Sequence, residues 1–311
     1  MKSLIKRALQ KGQWFSYHHQ CNAEAELLLK NIESEKGKVN QYIKKLSKEY
    51  AFDILGWTGY APWLNVYSAI AEEFKEGWIP DNYYGWIVVP KINGLYGSFT
   101  SANSLSEKLL NTDRLPNLAY YVNGLFFSTT WEVLNYDTLK NILFKHHDKV
   151  VYKADNSLQG KSIHFFNKDT LSAGKINKIG NGIFQKYINQ HDFFKELMPN
   201  SVATLRLTTV VQDNGNISCR AAYLRIGRNA DTHVKSATAI IVPVNLSTGK
   251  LYEKGFLTNW HSINRHPDTN ILFAGKEIPK FRECVSYVVN THKTAPYCRS
   301  VGWDLIVDNN S

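Results

Sequence analysis

The feature that most narrows what this chain can fold into is the strand-period alternation of its last third. Apolar and polar residues alternate over Thr204–Val211 and Ile217–Ile226, and again over residues 238–244 and 251–257. A period of two puts alternate side chains on opposite faces, so each stretch reads as a half-buried strand. Asp213-Asn-Gly-Asn and Ser247-Thr-Gly-Lys interrupt the alternation, and Asn214-Gly215 is the dipeptide that a tight hairpin turn demands. Two hairpins in succession build an antiparallel sheet. Residues 277–293 have helical spacing, and residues 300–307 close the chain as a further strand.

A third hairpin is read upstream, over residues 149–166. A β-rich run carrying Lys153 gives way to the polar, glycine-containing loop Asp155-Asn-Ser-Leu-Gln-Gly-Lys161, and another β-rich run (162–166) follows. Gly160-Lys161-Ser162 looks like the end of a P-loop, but Asp155 stands where the first glycine is required and a strand follows where a helix should begin. The loop is either an ordinary solvated hairpin tip or a donor-rich flap over a polyphosphate, with Lys153 and Lys161 on its flanks.

The first third is helical in pattern. Residues 22–48 read as two helices joined at Gly37, and residues 61–74 as another, with Pro62 allowed in its first turn. An aromatic connector (76–86) leads to a short apolar run at 87–89, expected as a strand stopped by Pro90. Residues 103–110 start a helix, 125–127 form a strand and 136–144 a helix, and residues 182–189 are expected as a strand at a sheet edge. The result is an α+β chain, divided as a helical region (1–98), a first subdomain (99–184) and a second, mainly antiparallel one (185–311).

Thirty-seven Lys and Arg against 27 Asp and Glu give a formal net charge of +10, which favours an anionic partner. No arginine-rich tail concentrates that charge, which argues against nucleic acid. Cys21, Cys219, Cys284 and Cys298 are far apart, with no C-x-x-C pair, so reduced thiols in a cytoplasmic protein are expected. His18, His19 and Cys21 have no second pair at metal-ligand spacing and are taken as structural. No run reaches the ~18 apolar residues of a membrane span. Residues 1–11 carry Lys2, Lys6, Arg7 and Lys11 beside Leu4, Ile5, Ala8 and Leu9: a solvated helix, or a basic amphipathic one lying on an anionic membrane.

Seven motifs recur in a fixed order: Phe74-Lys-Glu-Gly-Trp-Ile-Pro-Asp-Asn-Tyr-Tyr, Val151-Tyr-Lys-Ala-Asp-Asn-Ser-Leu-Gln-Gly-Lys, Gln190-His-Asp, Ser201-Val-Ala-Thr-Leu-Arg, Thr248-Gly-Lys, Arg265-His-Pro-Asp-Thr and Val301-Gly-Trp-Asp-Leu. In this order the chain resembles the ATP-grasp superfamily, and more closely the sugar-transfer-associated ATP-grasp family of bacterial polysaccharide loci. The resemblance implies two α+β subdomains clamping ATP and magnesium, after a helical N-terminal segment. It implies phosphate contacts from Lys108 and Lys153 and a flap containing Asn156, Ser157, Gln159, Gly160 and Lys161. It further implies backbone contacts to adenine from Gln185, Lys186, Tyr187 and Ile188, with Gln190 or His191 near the ribose. Arg206 would stabilise charge on the transferred phosphoryl group or on the acyl-phosphate intermediate, and Asp304 would hold the metal. Each residue also has a plainer reading: a solvated lysine for Lys108 and Lys161, a surface ion pair for Arg206, a turn cap for Asp304.

The chain departs from the family pattern where His233-Val-Lys235 replaces an Asp-Asn and paired glycines, and where it stops at Ser311 before a Glu-x-Asn that would complete the metal site. The implied activity is an ATP-dependent ligase: a carboxylate becomes an acyl phosphate, and an amine attacks it during surface polysaccharide assembly. A sugar phosphotransferase and a nucleotide-binding pseudoenzyme that scaffolds a glycosyltransferase complex are the alternatives.

Overall fold

A computed structural model describes residues 2–112, 114–155, 162–228, 231 and 237–309 of the chain. The chain divides into two compact units, residues 1–94 with 259–261 and residues 95–258 with 262–311.

The first unit is helical, with α1 (Lys2–Lys36), α2 (Gln41–Asp53), α3 (Ala61–Ala71), α4 (Asp81–Tyr83) and α5 (Val89–Asn93). Gly37, at φ +88°, ends α1 where the spacing predicts a break. The helical patterns of residues 1–11 and 22–36 belong to this one helix. Asn40 starts α2 by accepting the Tyr42 N–H, satisfying a donor that has no partner inside the helix. Ala25, Leu28 and Ile32 of α1 pack on Trp63, Val66 and Ala69 of α3. Glu33 is buried and accepts from Lys38, Lys44 and the Val39 N–H. Burial alone would raise its pKa; these bonds override it and hold the carboxyl at about 2. Residues 87–89 are not the strand expected of them: they lie in consecutive helical turns, Tyr84–Val88 and α5. Three apolar residues fit either period, and Pro90 sits in the first turn of α5, where its missing N–H costs nothing.

The second unit runs α6 (Ser106–Leu110), β1 (Asn117–Val122), β2 (Leu125–Phe127), β3 (Val133–Leu134), α7 (Tyr136–Phe144), β4 (Val150–Ala154), β5 (Ile163–Phe166), α8 (Ala173–Ile179), β6 (Gly182–Lys186), α9 (Asp192–Leu197), β7 (Thr204–Val211), β8 (Ile217–Ile226), β9 (Ile240–Pro243), β10 (Gly255–Phe256), β11 (Ser262–Ile263), α10 (Phe281–His292) and β12 (Ser300–Leu305). Two antiparallel sheets result, ordered β3-β2-β1-β6-β4-β5 and β11-β10-β9-β8-β7-β12. The fold class is therefore the expected one, α+β with a helical N-terminal segment.

Two details of the expectation change. The strand expected at a sheet edge, β6, is interior and pairs with both β1 and β4. Its residues Gly182, Ile183, Phe184 and Gln185 are all buried, a pattern of a strand covered on both faces. The stretch 251–257 contributes only Gly255–Phe256 as strand, because the Leu251 N–H is spent on Lys276 O and Leu251 bridges Val244 alone.

Alternation decides what each sheet presents. Val150, Tyr152 and Ala154 turn toward Phe184, Leu139, Leu143 and Ile176 in the first core, which leaves Val151 and Lys153 on the opposite face. Leu205 and Leu207 turn into the second core with Leu224, Val242, Phe281 and Val288, which leaves Thr204 and Arg206 on the other side of β7.

Candidate functional site

Those two released faces meet at a cavity of about 310 Å³. The first sheet contributes Val151, Lys153, Ile163, Phe165, Gln185 and Lys186, and the segment after β6 adds Tyr187 and Ile188. From the second sheet come Thr204, Trp303, Asp304 and Leu305, with Ile306 just past β12, and from α10 Tyr287 and Thr291. The lining is thus mostly apolar with a few polar groups converging on it, the usual make-up of a small-molecule site.

The charged end is built from Arg206 and Asp304. They are register partners on β7 and β12. Arg206 Nε donates to Asp304 Oδ1 at 2.6 Å and Nη2 to Oδ2 at 2.8 Å, a two-pronged bond in which both carboxylate oxygens are used. Gly302 makes room for it: a Cβ at that position would stand 2.7 Å from Arg206 Nη1. Burial alone would lower the Arg206 pKa, but the bonds to Asp304 outweigh it and the guanidinium is held firmly charged. Burial lowers the Lys153 ammonium below its ordinary value, and the Asp304 carboxylate pulls it partly back. Arg206 and Lys153 therefore share one carboxylate, and Lys186 and Arg114 on the lining add basic groups that suit an anionic ligand.

At the other end, the Lys186 N–H is donated to Pro116 O at 2.9 Å, whereas Tyr187 and Ile188 make no backbone hydrogen bond among the described residues. Free backbone N–H and C=O groups beside an apolar slot require a partner, solvent or ligand. Lys149 lies over the rings of Phe165 (4.3 Å) and Tyr187 (4.7 Å), tying β5 to this segment by cation–π attraction.

Of the residues singled out in the sequence, Lys153, Gln185, Lys186, Tyr187, Ile188 and Asp304 line the cavity, and Arg206 reaches it through Asp304. Lys108 is exposed on α6 and does not line it. Gln190 does not reach it either: it is buried, Nε2 donates to Met198 O and Ser201 O, and Oε1 accepts the Ala203 N–H. His191 caps α9, its Nδ1 accepting the Phe193 N–H. Asn156, Ser157, Gln159, Gly160 and Lys161 lie outside the described residues, as do His233 and Lys235. At the start of that stretch Asp155 accepts from the Ser104 N–H and Oγ, and Asn103 Nδ2 donates to Ala154 O. The residue that breaks the P-loop pattern thus fastens the end of β4 to the turn before α6.

Sequence reasoning did not find Trp303, which lines the cavity, or Asn117 and Glu107, which are hydrogen-bonded in series to Gln185 on its wall. Asn117 lies on β1, a strand without strict alternation; Trp303 sits inside a motif that was read for its aspartate. Among the described residues, no three His, Cys, Asp or Glu side chains gather as a metal site, and both oxygens of Asp304 are already on Arg206. Taken alone, these residues do not fit a magnesium site. All four cysteines are free thiols, and burial raises the pKa of each, Cys284 to about 11. No helix among the described residues is long and apolar enough to cross a membrane.

The sugar-transfer associated ATP-grasp family matches residues 169–311, so the resemblance read in the sequence is shown over α8 to β12. No curated protein matches the chain. Among solved structures, the chain is similar to the biotin carboxylase domain of Hydrogenobacter thermophilus 2-oxoglutarate carboxylase in complex with MgADP, ADP and bicarbonate (14% identity, 68% of this chain and 37% of that one, TM-score 0.40). It is also similar to Campylobacter jejuni biotin carboxylase in a β-γ-ATP complex (11% identity, 92% and 60%, TM-score 0.42) and to the ATP-grasp ligase PsnB complexed with a minimal precursor (13%, 89% and 64%, TM-score 0.38). The chain spans 37% to 64% of the length of these structures.

Proposed function

We propose, with the sugar-transfer associated ATP-grasp match of residues 169–311 as premise, that the cavity binds ATP and that the second unit is an ATP-dependent ligase. The reaction joins a carboxylate to an amine through an acyl phosphate. The single observation that carries this reading is the cavity that brings Lys153, residues 185–188 and the Arg206–Asp304 pair together.

The parts suit the steps. Val151, Ile163, Phe165, Leu305 and Ile306 offer an apolar slot for a base, with the free backbone groups of Tyr187 and Ile188 at its edge. Lys153, desolvated, supplies a compact positive charge to the phosphates. Asp304 holds the Arg206 guanidinium by Nε and Nη2, and the N–H groups not spent on it are the donors offered to the oxygens of the phosphoryl group in transfer, where charge develops. The carboxylate oxygen attacks the γ-phosphorus, ADP leaves, and the amine then displaces inorganic phosphate from the acyl carbon. Magnesium is expected to accompany ATP, although the described residues do not form a site for it.

A role in bacterial surface polysaccharide assembly is part of this proposal, supported by no more than the sugar-transfer association in the family description. A sugar phosphotransferase would use the same nucleotide site but leave the phosphoryl group on the product, and a scaffold would release no ADP. Incubating the chain with ATP, magnesium and candidate uronic acids and amino sugars, then analysing products by mass spectrometry, separates the three. ADP with an amide product supports the ligase; ADP with a sugar phosphate, or no ADP at all, refutes it.

A further inference from the structure

Gln185, on the cavity wall, ends a hydrogen-bond chain that starts at Glu107. Glu107 Oε2 accepts from Tyr120 Oη and from Asn117 Nδ2, each at 2.6 Å. Asn117 Oδ1 in turn accepts from Gln185 Nε2 at 2.8 Å. Asn117 and Gln185 are register partners on β1 and β6, so the pair is locked by the sheet as well as by the side chains.

The direction of this chain is fixed by chemistry. An ionised carboxylate only accepts, so Asn117 must turn its NH₂ group toward Glu107. Its carbonyl oxygen is then what remains for Gln185, and Gln185 must donate. Gln185 Oε1 has no hydrogen bond among the described residues, and it is the amide atom left over for the cavity that Gln185 lines. A neutral residue at position 107 could donate as well as accept, and the chain could run in reverse, presenting Gln185 Nε2 to the cavity instead.

We infer that Glu107 is a positioning residue that sets, through Asn117, the polarity with which Gln185 meets the edge of a bound base, so that a 6-amino purine is taken over a 6-oxo purine. This rests on the nucleotide reading of the cavity. The amino group of adenine gives Gln185 Oε1 a donor, whereas a 6-oxo group sets acceptor against acceptor and strands a buried polar atom.

ATP and ITP test this, because they share sugar and phosphates and differ only along the base edge. Calorimetric Kd values for the full chain should favour ATP on the order of tenfold or more. In Glu107→Gln the ATP-to-ITP ratio should fall toward one, partly by a gain in ITP binding, which a merely structural role would not produce. Gln185→Leu should also erase the ratio and serves if Glu107→Gln does not fold. Equal binding of ATP and ITP by the natural chain, or an unchanged ratio in both variants, overturns this inference alone. If neither triphosphate binds, the nucleotide reading itself fails and this inference falls with it.

Discussion

Arg206 and Asp304 face each other across β7 and β12, and the guanidinium fork closes on both carboxylate oxygens, at 2.6 and 2.8 Å. The same carboxylate also raises the Lys153 pKa against the effect of burial. One acidic group thus orients one cation and favours the charged form of a second against burial. The pair is part exposed, Arg206 at 28% and Asp304 at 47% of their side chains, so its contribution to stability is small, of the order expected for surface ion pairs, about 0–1 kcal/mol. Its role is orientation.

Lys153→Ala and Arg206→Ala should therefore fail differently. Removing the desolvated charge takes away ground-state attraction for phosphates, and ATP affinity should drop on the order of tenfold or more. Removing the fork should leave the ATP Kd within about threefold and depress turnover by roughly 10²–10³, since its donors matter most where charge develops. Calorimetry beside an ADP-release assay separates the two effects. An Arg206→Ala protein that lost binding yet kept its turnover rate would reverse the assigned roles.

Gly302→Ala probes the same geometry without touching a charge. The new Cβ would press on Arg206 Nη1 at 2.7 Å, and since that is the far end of a flexible side chain, the guanidinium should swing away at little cost. Thermal stability should change by less than about 1 kcal/mol, while turnover falls with ATP binding retained. Unchanged turnover would show that the fork need not sit squarely on Asp304.

How much of this was legible in the sequence follows the physics of each signal. Strand β7, which alternates cleanly over its eight residues, and β8, which alternates over its last five, are found at their full extent, and Gly37 marks the end of α1 because a positive φ leaves few other choices. The run at 87–89 was misjudged because so short a stretch carries no period. The placement of β6 inside its sheet depends on β1, whose residues Asn117-Leu-Ala-Tyr-Tyr-Val give little alternation. Lys153 and Asp304 stood out by chemistry and order; the Glu107–Asn117–Gln185 chain did not, since it joins three elements that only the sheet register brings together. Gln190 was legible as special but not as structural: its three bonds to backbone groups are invisible in a linear text.

Gly249→Ala should destabilise the second unit. Gly249 has φ +75°, and a Cβ there would meet Phe281 at 2.8 Å, a core residue at the start of α10. Left-handed strain and a clash with a packed ring add, so a loss of about 1–3 kcal/mol is expected, read as a lower urea midpoint. A midpoint equal to that of the natural chain would mean the turn relaxes freely.

The last prediction concerns pH. His292 is fully buried, and its two nitrogens are both engaged: Nε2 lies 2.7 Å from Cys298 O and Nδ1 2.7 Å from Thr209 Oγ1. A carbonyl only accepts, so Nε2 carries the hydrogen and Nδ1 accepts from the Thr209 hydroxyl, which itself accepts from Trp303 Nε1 at 2.7 Å. The neutral ring completes this chain, and a second proton at Nδ1 would break it. Burial accordingly lowers the His292 pKa, as it does that of His18 in the helical unit. An unfolded histidine titrates near 6.5, above the folded value, so below that pH the unfolded state takes up the proton first. Stability is then complete above about pH 6.5 and declines as pH falls from there toward the folded pKa values. Urea midpoints measured from pH 7.5 down to 5.5, above the range where most carboxylates titrate, should fall steadily. Thr209→Val, which leaves Trp303 Nε1 and His292 Nδ1 without their partner, should cost about 1–3 kcal/mol at pH 7.5. A flat pH profile together with a neutral Thr209→Val substitution would show that this chain of bonds does not hold the neutral ring in place.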